Sequence, residues 1–114
     1  MTSITTARLS ADVCAAAQLV PEDMATAYAD GFRSVVNNRP DHEGGPTQPT
    51  SAAIEAAAKA AGLVYAYLPV APTVQSAEEA AALTGLLATL PKPVLMFCRS
   101  GGRSARLFSA TQSH

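Results

Sequence analysis

With 114 residues the chain has room for a single domain, 1–114, around one hydrophobic core. Hydrophobic residues make up 48%, but 24 residues are alanine, aromatics are 5% and tryptophan is absent, so the core must rest on Leu, Val, Ile and close alanine packing. A net charge of −1 gives nucleic acid no electrostatic reason to bind, and no apolar run approaches the ~20 residues that cross a bilayer.

Short strands alternate with helices along the chain. That pattern predicts an α/β domain with a mainly parallel sheet of four to five strands flanked by helices. Val13 to Ala17 reads as the first strand. Pro21 suits a first helical position, and Glu22 and Asp23 place negative charge where the helix dipole favours it. This helix is expected to stop at Gly31. Ser34 to Asn37 is the second strand. Asn38 to Thr50 is polar and rich in Gly and Pro, a long loop for so small a domain. A helix follows over Ser51–Ala61, closed by Gly62, and Leu63 to Leu68 reads as the third strand. Pro69 and Pro72 frame the next loop. Ser76 and Glu79 have capping-box spacing, and the helix they open carries Ala80, Leu83, Leu87 and Leu90 on one face. Pro91 and Pro93 end it. Val94–Phe97 is the last strand, and a final helix is expected from about Arg103.

Chemistry concentrates where that last strand ends, at Cys98-Arg99-Ser100-Gly101-Gly102-Arg103-Ser104. Three of the chain's eight basic residues, Arg99, Arg103 and Arg106, fall in or just beyond this segment. A buried strand that hands a cysteine to a glycine loop, with a helix beginning where the loop ends, makes an anion cradle with a nucleophile at its floor. Loop amides and the helix dipole lower a thiol pKa and favour the thiolate. Cys98 is the expected nucleophile. Gly101 and Gly102 let successive N–H groups converge. Arg103 can take two anion oxygens at once. Ser100 or Ser104 can hydrogen-bond the thiolate. Arg99 is expected to face outward and set the local potential.

In these residues the sequence resembles the phosphatase-like domains of beta-lactamase hydrolase-like proteins. Their C-x-x-G-x-R loop is matched by Cys98, Gly101 and Arg103. The resemblance extends to Gln18-Leu19-Val20-Pro21-Glu22-Asp23, to Gly31 through Asp41 with Asn37-Asn38-Arg39-Pro40-Asp41 at its end, and to Ala61 through Tyr65 and Leu68-Pro69-Val70. It implies a protein tyrosine or dual-specificity phosphatase-like fold of bacterial type. It also implies a small anionic substrate, and a hydrolase that works through a cysteinyl-phosphate. Some members are described as sulfur transferases, and some occur fused to a metallo-beta-lactamase domain. A metallo-beta-lactamase-type or sulfur-metabolism protein is therefore the implied partner.

Two departures from the wider phosphatase pattern bear on the chemistry. Tyrosine phosphatases carry one residue more between Cys and Arg than the four here. The C-R-S-G-x-R string is also that of rhodaneses, which carry sulfur on the cysteine as a persulfide. Dual-specificity phosphatases place a general-acid aspartate in the loop upstream, whereas Pro69-Val70-Ala71-Pro72-Thr73-Val74-Gln75 holds no acid. Asp41 and Glu43, beyond the end of the second strand, are the replacement candidates, with Asp41 preferred. The bland reading of Asp41 is a turn residue that caps or pairs with Arg39. Arg39 can help recruit the anion.

Several residues invite plainer readings. His42 is read as exposed loop. With His114 it completes the histidines, and neither has metal-ligand spacing, so no metal or cofactor is expected. Cys14 reads as a core residue, with a resolving role toward Cys98 as the alternative. Two cysteines make no disulfide framework, and the start at Met1 lacks a charged segment followed by an apolar one, so a reducing cytoplasm is the expected setting. The chain runs only eleven residues past Arg103, enough for a short last helix, and an end cut back there would weaken the cradle. The expected activity is cysteine-dependent phosphatase. A sulfurtransferase that holds a persulfide on Cys98 is second, and an anion-binding module without catalysis is third.

Overall fold

The computed structural model describes residues 4–73 and 75–112. The start at Met1 and the second histidine, His114, lie outside them. Five strands form one sheet: β1 (Ala7–Ser10), β2 (Val13–Ala16), β3 (Ser34–Asn37), β4 (Val64–Tyr67) and β5 (Val94–Phe97), in the order β1-β2-β5-β3-β4. β2, β5, β3 and β4 run parallel, while β1 pairs antiparallel with β2. Among the described residues four helices flank the sheet: α1 (Asp23–Ala29), α2 (Ser51–Ala61), α3 (Ala77–Thr89) and α4 (Gly102–Thr111).

Strand alternation splits the core into two layers. Leu95 and Phe97 of β5 and Val35 of β3 face α1 and α2, where Met24, Ala27, Ile54 and Ala58 pack on them. Val94 and Met96 of β5 and Val36 of β3 face α3 and α4, where Leu83, Leu90 and Leu107 cover them. β5 lies at the centre and all four of its residues are fully buried. Helices on both faces are what a parallel sheet requires.

The strand ends are in register. Ala16 of β2 and Asn37 of β3 stand opposite Phe97 of β5, and Tyr67 of β4 stands opposite Asn37. The loops that leave these strands therefore open on one edge of the sheet, the side where open α/β sheets bind ligands.

Four elements differ from expectation. β1 was not foreseen. It is an edge strand with exposed residues and no apolar alternation, and a bulge falls between Arg8 and Ser10. The first predicted strand stops at Ala16 rather than Ala17, because Gln18 turns to donate its N–H to the Arg99 carbonyl at 3.2 Å. α1 begins at Asp23, after a turn in which Asp23 N–H donates to Val20 O (2.9 Å) and Met24 N–H to Pro21 O (3.1 Å). It ends at Ala29, with Gly31 beyond it in the left-handed region at φ 104°. β4 is shorter by one residue at each end than the expected strand. The span of α2, its Gly62 terminus and the complete capping box of Ser76 and Glu79 on α3 match the sequence reading.

Candidate active site

Cys98 follows β5 and is 1% exposed. Its loop is clamped from both sides. Cys98 N–H donates to Ala16 O at 3.4 Å, Asn38 N–H donates to Phe97 O at 2.9 Å, and Gln18 N–H holds the Arg99 carbonyl. Gly101 then turns the chain into α4 with φ 94°, and a Cβ there would lie 3.4 Å from the Ala16 carbonyl group. Glycine is needed at this point for its backbone conformation.

The thiol sulfur sits inside the turn. Gly101 N–H donates to Cys98 Sγ at 3.1 Å. Burial pushes the thiol pKa up, but donors from the Ser104 N–H and hydroxyl and from the Ser100 and Gly101 amides outweigh it, so the pKa lies below its usual 9.0. The Ser104 hydroxyl also donates to Asn38 Oδ1 at 2.8 Å. With one proton and two acceptors, it can serve Asn38 or the thiolate, while the Ser104 amide serves the sulfur in either case. Asn38 is fully buried, and its Nδ2 donates to Leu68 O at 2.9 Å, which turns its carbonyl toward Ser104.

Arg103 comes from the first turn of α4 and is 5% exposed. Nη1 donates to Glu43 Oε2 at 2.9 Å and to Val70 O at 3.2 Å, and Nη2 donates to Glu43 Oε1 at 3.0 Å. The end of the guanidinium is thus held by a carboxylate fork. Its side edge is different, because Nε is buried and has no acceptor among the described residues. A buried, unsatisfied donor is costly unless something completes it.

Glu43 is the residue on which the two arginines meet. It also accepts from Arg39 Nε at 2.9 Å, and Arg39 Nη1 donates in turn to Gln18 Oε1 at 3.0 Å. The Arg103 hydrogen bonds hold the Glu43 carboxyl below the usual carboxylate range, burial opposes them, and Arg39 adds to the lowering. Arg39, Glu43, Gly44, Pro72, Arg99 and Arg103 line a cleft of about 450 Å³ over this network.

Asp41, the preferred acid in the sequence reading, stands elsewhere in the loop. Its Oδ1 accepts from Ser51 N–H at 2.7 Å, at the first turn of α2, and its own N–H donates to the Tyr67 hydroxyl at 2.8 Å. It does not line the cleft, and Glu43 does. Arg99 is exposed at the rim, Ser100 is exposed in the loop, and Gly102 N–H points to Ser100 Oγ at 3.5 Å. His42 is exposed with φ 69°. Cys14 is half-buried against the α1 and α2 layer, and both cysteines are free thiols. Among the described residues no group of three or more His, Cys, Asp or Glu could hold a metal ion, and no helix is long and apolar enough to cross a membrane.

A parallel sheet that ends in a buried cysteine, a glycine turn into a helix and an arginine from that helix define a single α/β domain with the protein tyrosine phosphatase-like fold. The chain belongs to the phosphatase-like domain family of beta-lactamase hydrolase-like proteins, which matches residues 6–114. A beta-lactamase hydrolase-like protein of Xylella fastidiosa is 39% identical over 82 residues, which are 72% of this chain and 19% of that protein. The chain thus spans about a fifth of the length of the curated relatives it matches. The crystal structure of a candidate phosphatase from Neisseria meningitidis is similar with a TM-score of 0.81 and 26% identity, over 89% of this chain and 71% of that one. Kinase-associated phosphatase shares the fold at 14% identity and a TM-score of 0.69, over 99% of this chain and 78% of that one.

Proposed function

We propose that this domain is a cysteine-dependent phosphatase acting on a small anionic phosphate substrate. The observation that carries the reading is the pairing of a thiol whose pKa is lowered, Cys98, with the buried and unsatisfied Nε of Arg103. The cradle supplies donors on two sides and lacks the acceptor that an anion would bring. In this reading the Cys98 thiolate attacks phosphorus, and the leaving oxygen departs with the electron pair of the broken P–O bond. Arg103 binds oxygens through Nε and the second hydrogen of Nη2, while Glu43 and the Val70 carbonyl keep the other hydrogens engaged and the guanidinium fixed. Water then attacks the cysteinyl-phosphate, phosphate leaves, and the Ser104 hydroxyl turns from Asn38 to the re-formed thiolate. Glu43 and Arg39 are positioning residues in this scheme, and Asp41 holds the loop that carries them.

Sulfur transfer is the second reading. Among the described residues the only acid lining the cleft is Glu43, bound to two guanidiniums as a carboxylate, so a leaving group finds no acid there to donate a proton. A persulfide carrier needs none. In that case thiosulfate gives its outer sulfur to Cys98 and releases sulfite, and a sulfur-metabolism protein is the partner class proposed.

Side-by-side assays of aryl-phosphate hydrolysis and thiosulfate-to-cyanide transfer decide between them, with C98S and R103A as controls. Phosphate release that falls to background in C98S supports the phosphatase. Aryl-phosphate turnover that survives C98S sinks it. A stable adduct of about 32 Da on Cys98 after thiosulfate treatment, with no phosphate release, replaces it with the sulfur carrier.

A further inference from the structure

Arg99 contributes the one guanidinium in the cleft to which no protein acceptor is bound among the described residues. Its backbone is fixed, since its carbonyl accepts from Gln18 N–H. Gln18 also accepts from Arg39 Nη1 through its side chain, so one residue holds both Arg99 and Arg39, and both arginines line the cleft. Arg39 Nη2 likewise donates to nothing among the described residues, and it sits beside Gly44, where a Cβ would come within 2.7 Å of it. Donors for a second anionic group therefore line the same cleft as Arg103, whose Nε is open to the first. A cleft of about 450 Å³ has room for more than a single phosphate group.

Among the described residues the same cleft has no acid free to protonate a leaving group. Glu43 is spoken for by Arg103 and Arg39, and Asp41 is bound at the start of α2. General-acid assistance is worth ~10²–10⁴-fold, and a substrate with an alkoxide leaving group would forgo it here. A phosphate monoester loses its second proton near pH ~6 and so departs as an anion at neutral pH without help.

Resting on the phosphatase reading above, we propose that the substrate class is a phosphoanhydride, with the terminal phosphoryl group at Cys98 and the adjoining phosphate on Arg99 and Arg39. The Cys98 thiolate forms the S–P bond as the bridging P–O bond breaks. The electron pair leaves with the inner phosphate, whose charge the two arginines take up. Water then cleaves the S–P bond, giving inorganic phosphate and the thiolate, and its proton passes to the released phosphate or to solvent. No oxidant, reductant or metal enters the balance.

The test compares methyl diphosphate, methyl phosphate, phosphoglycolate and p-nitrophenyl phosphate, following inorganic phosphate or nitrophenol with the full chain. Methyl diphosphate should exceed methyl phosphate in kcat/KM by at least ~100-fold, the lower end of what a missing general acid costs the alkyl ester. In R99A the ratio of kcat/KM for methyl diphosphate to that for p-nitrophenyl phosphate should fall about tenfold or more, the scale of one lost charged hydrogen bond to phosphate, and R99K should restore part of it. An unchanged ratio in R99A overturns the proposal. So does phosphoglycolate turned over as well as methyl diphosphate, since Arg99 would then read any second anion with no anhydride required. Loss of p-nitrophenyl phosphate turnover in every form of the protein is a different failure, because it removes the phosphatase reading itself.

Discussion

At the scale of single residues, the site is a contest for hydrogen-bond partners. Cys98 is buried, which disfavours the thiolate, yet amide and hydroxyl donors reverse the balance. The alkylation rate of Cys98 by iodoacetamide should therefore rise with pH to a midpoint below 9.0, and S104A, which removes the hydroxyl and keeps the amide, should move that midpoint upward. Glu43 decides how Arg103 is presented. E43Q keeps the shape but loses the charge and one acceptor oxygen, and kcat/KM should fall ~10–100-fold, chiefly in kcat, because the arginine is needed most as charge develops. If Glu43 were a plug in the arginine fork instead, E43Q would raise the rate. The Glu43 pKa is lowered from 4.5, so its ion pairs contribute to stability in full above that value and are lost as pH falls through the depressed folded value. Urea midpoints of the native chain should drop over that acid window, and those of E43Q should drop less.

At the scale of elements, the decisive joint is the turn from β5 into α4. Gly101 places Cys98 and Arg103 on either side of one turn, and its φ of 94° suits no side chain. G101A should cost ~1–2 kcal/mol, the left-handed penalty of an L residue, and should lower phosphatase activity more than its effect on Tm explains. The loop from Asn38 to Thr50 is long, but side chains tie it down at several points. Asp41 is held by Ser51 and Tyr67, Gln48 accepts from Gly44 N–H and donates to the Pro40 carbonyl, and Arg39 N–H donates to Asn37 Oδ1. These bonds set where Glu43 arrives. Asn38 ties the end of β3 to β5, to the Leu68–Val70 segment and to α4, through its backbone and both side-chain atoms.

For the whole molecule, charge is unevenly spread. The chain carries a net −1, while its cleft gathers Arg39, Arg99 and Arg103 against Glu43 alone. A polar cleft with excess positive charge draws anions over distances that salt screens. Raising ionic strength from ~0.05 to ~0.5 M should raise KM for a phosphate substrate several-fold and leave kcat nearly constant, since Arg103 is buried and less screened. An equal fall in kcat would mean that the buried network itself opens in salt.

The local pattern of the sequence was enough for the central parts. Val94–Phe97, Cys98 and the Gly101-Gly102-Arg103 turn could be read because a buried strand, a glycine turn and a helix start are short-range events. α2 and α3 were legible from Gly62 and the Ser76–Glu79 box for the same reason. β1 was not, since an exposed edge strand is fixed by its partner rather than by its own residues. The choice between Asp41 and Glu43 belonged to the tertiary structure. Both lie in one loop two residues apart, and only the packing of that loop against α2, β4 and α4 sends one carboxylate to Ser51 and the other to Arg103. The open Nε of Arg103 and the unpartnered Arg99 were likewise beyond the sequence, because a donor is free or engaged only in relation to groups that the fold brings from far along the chain.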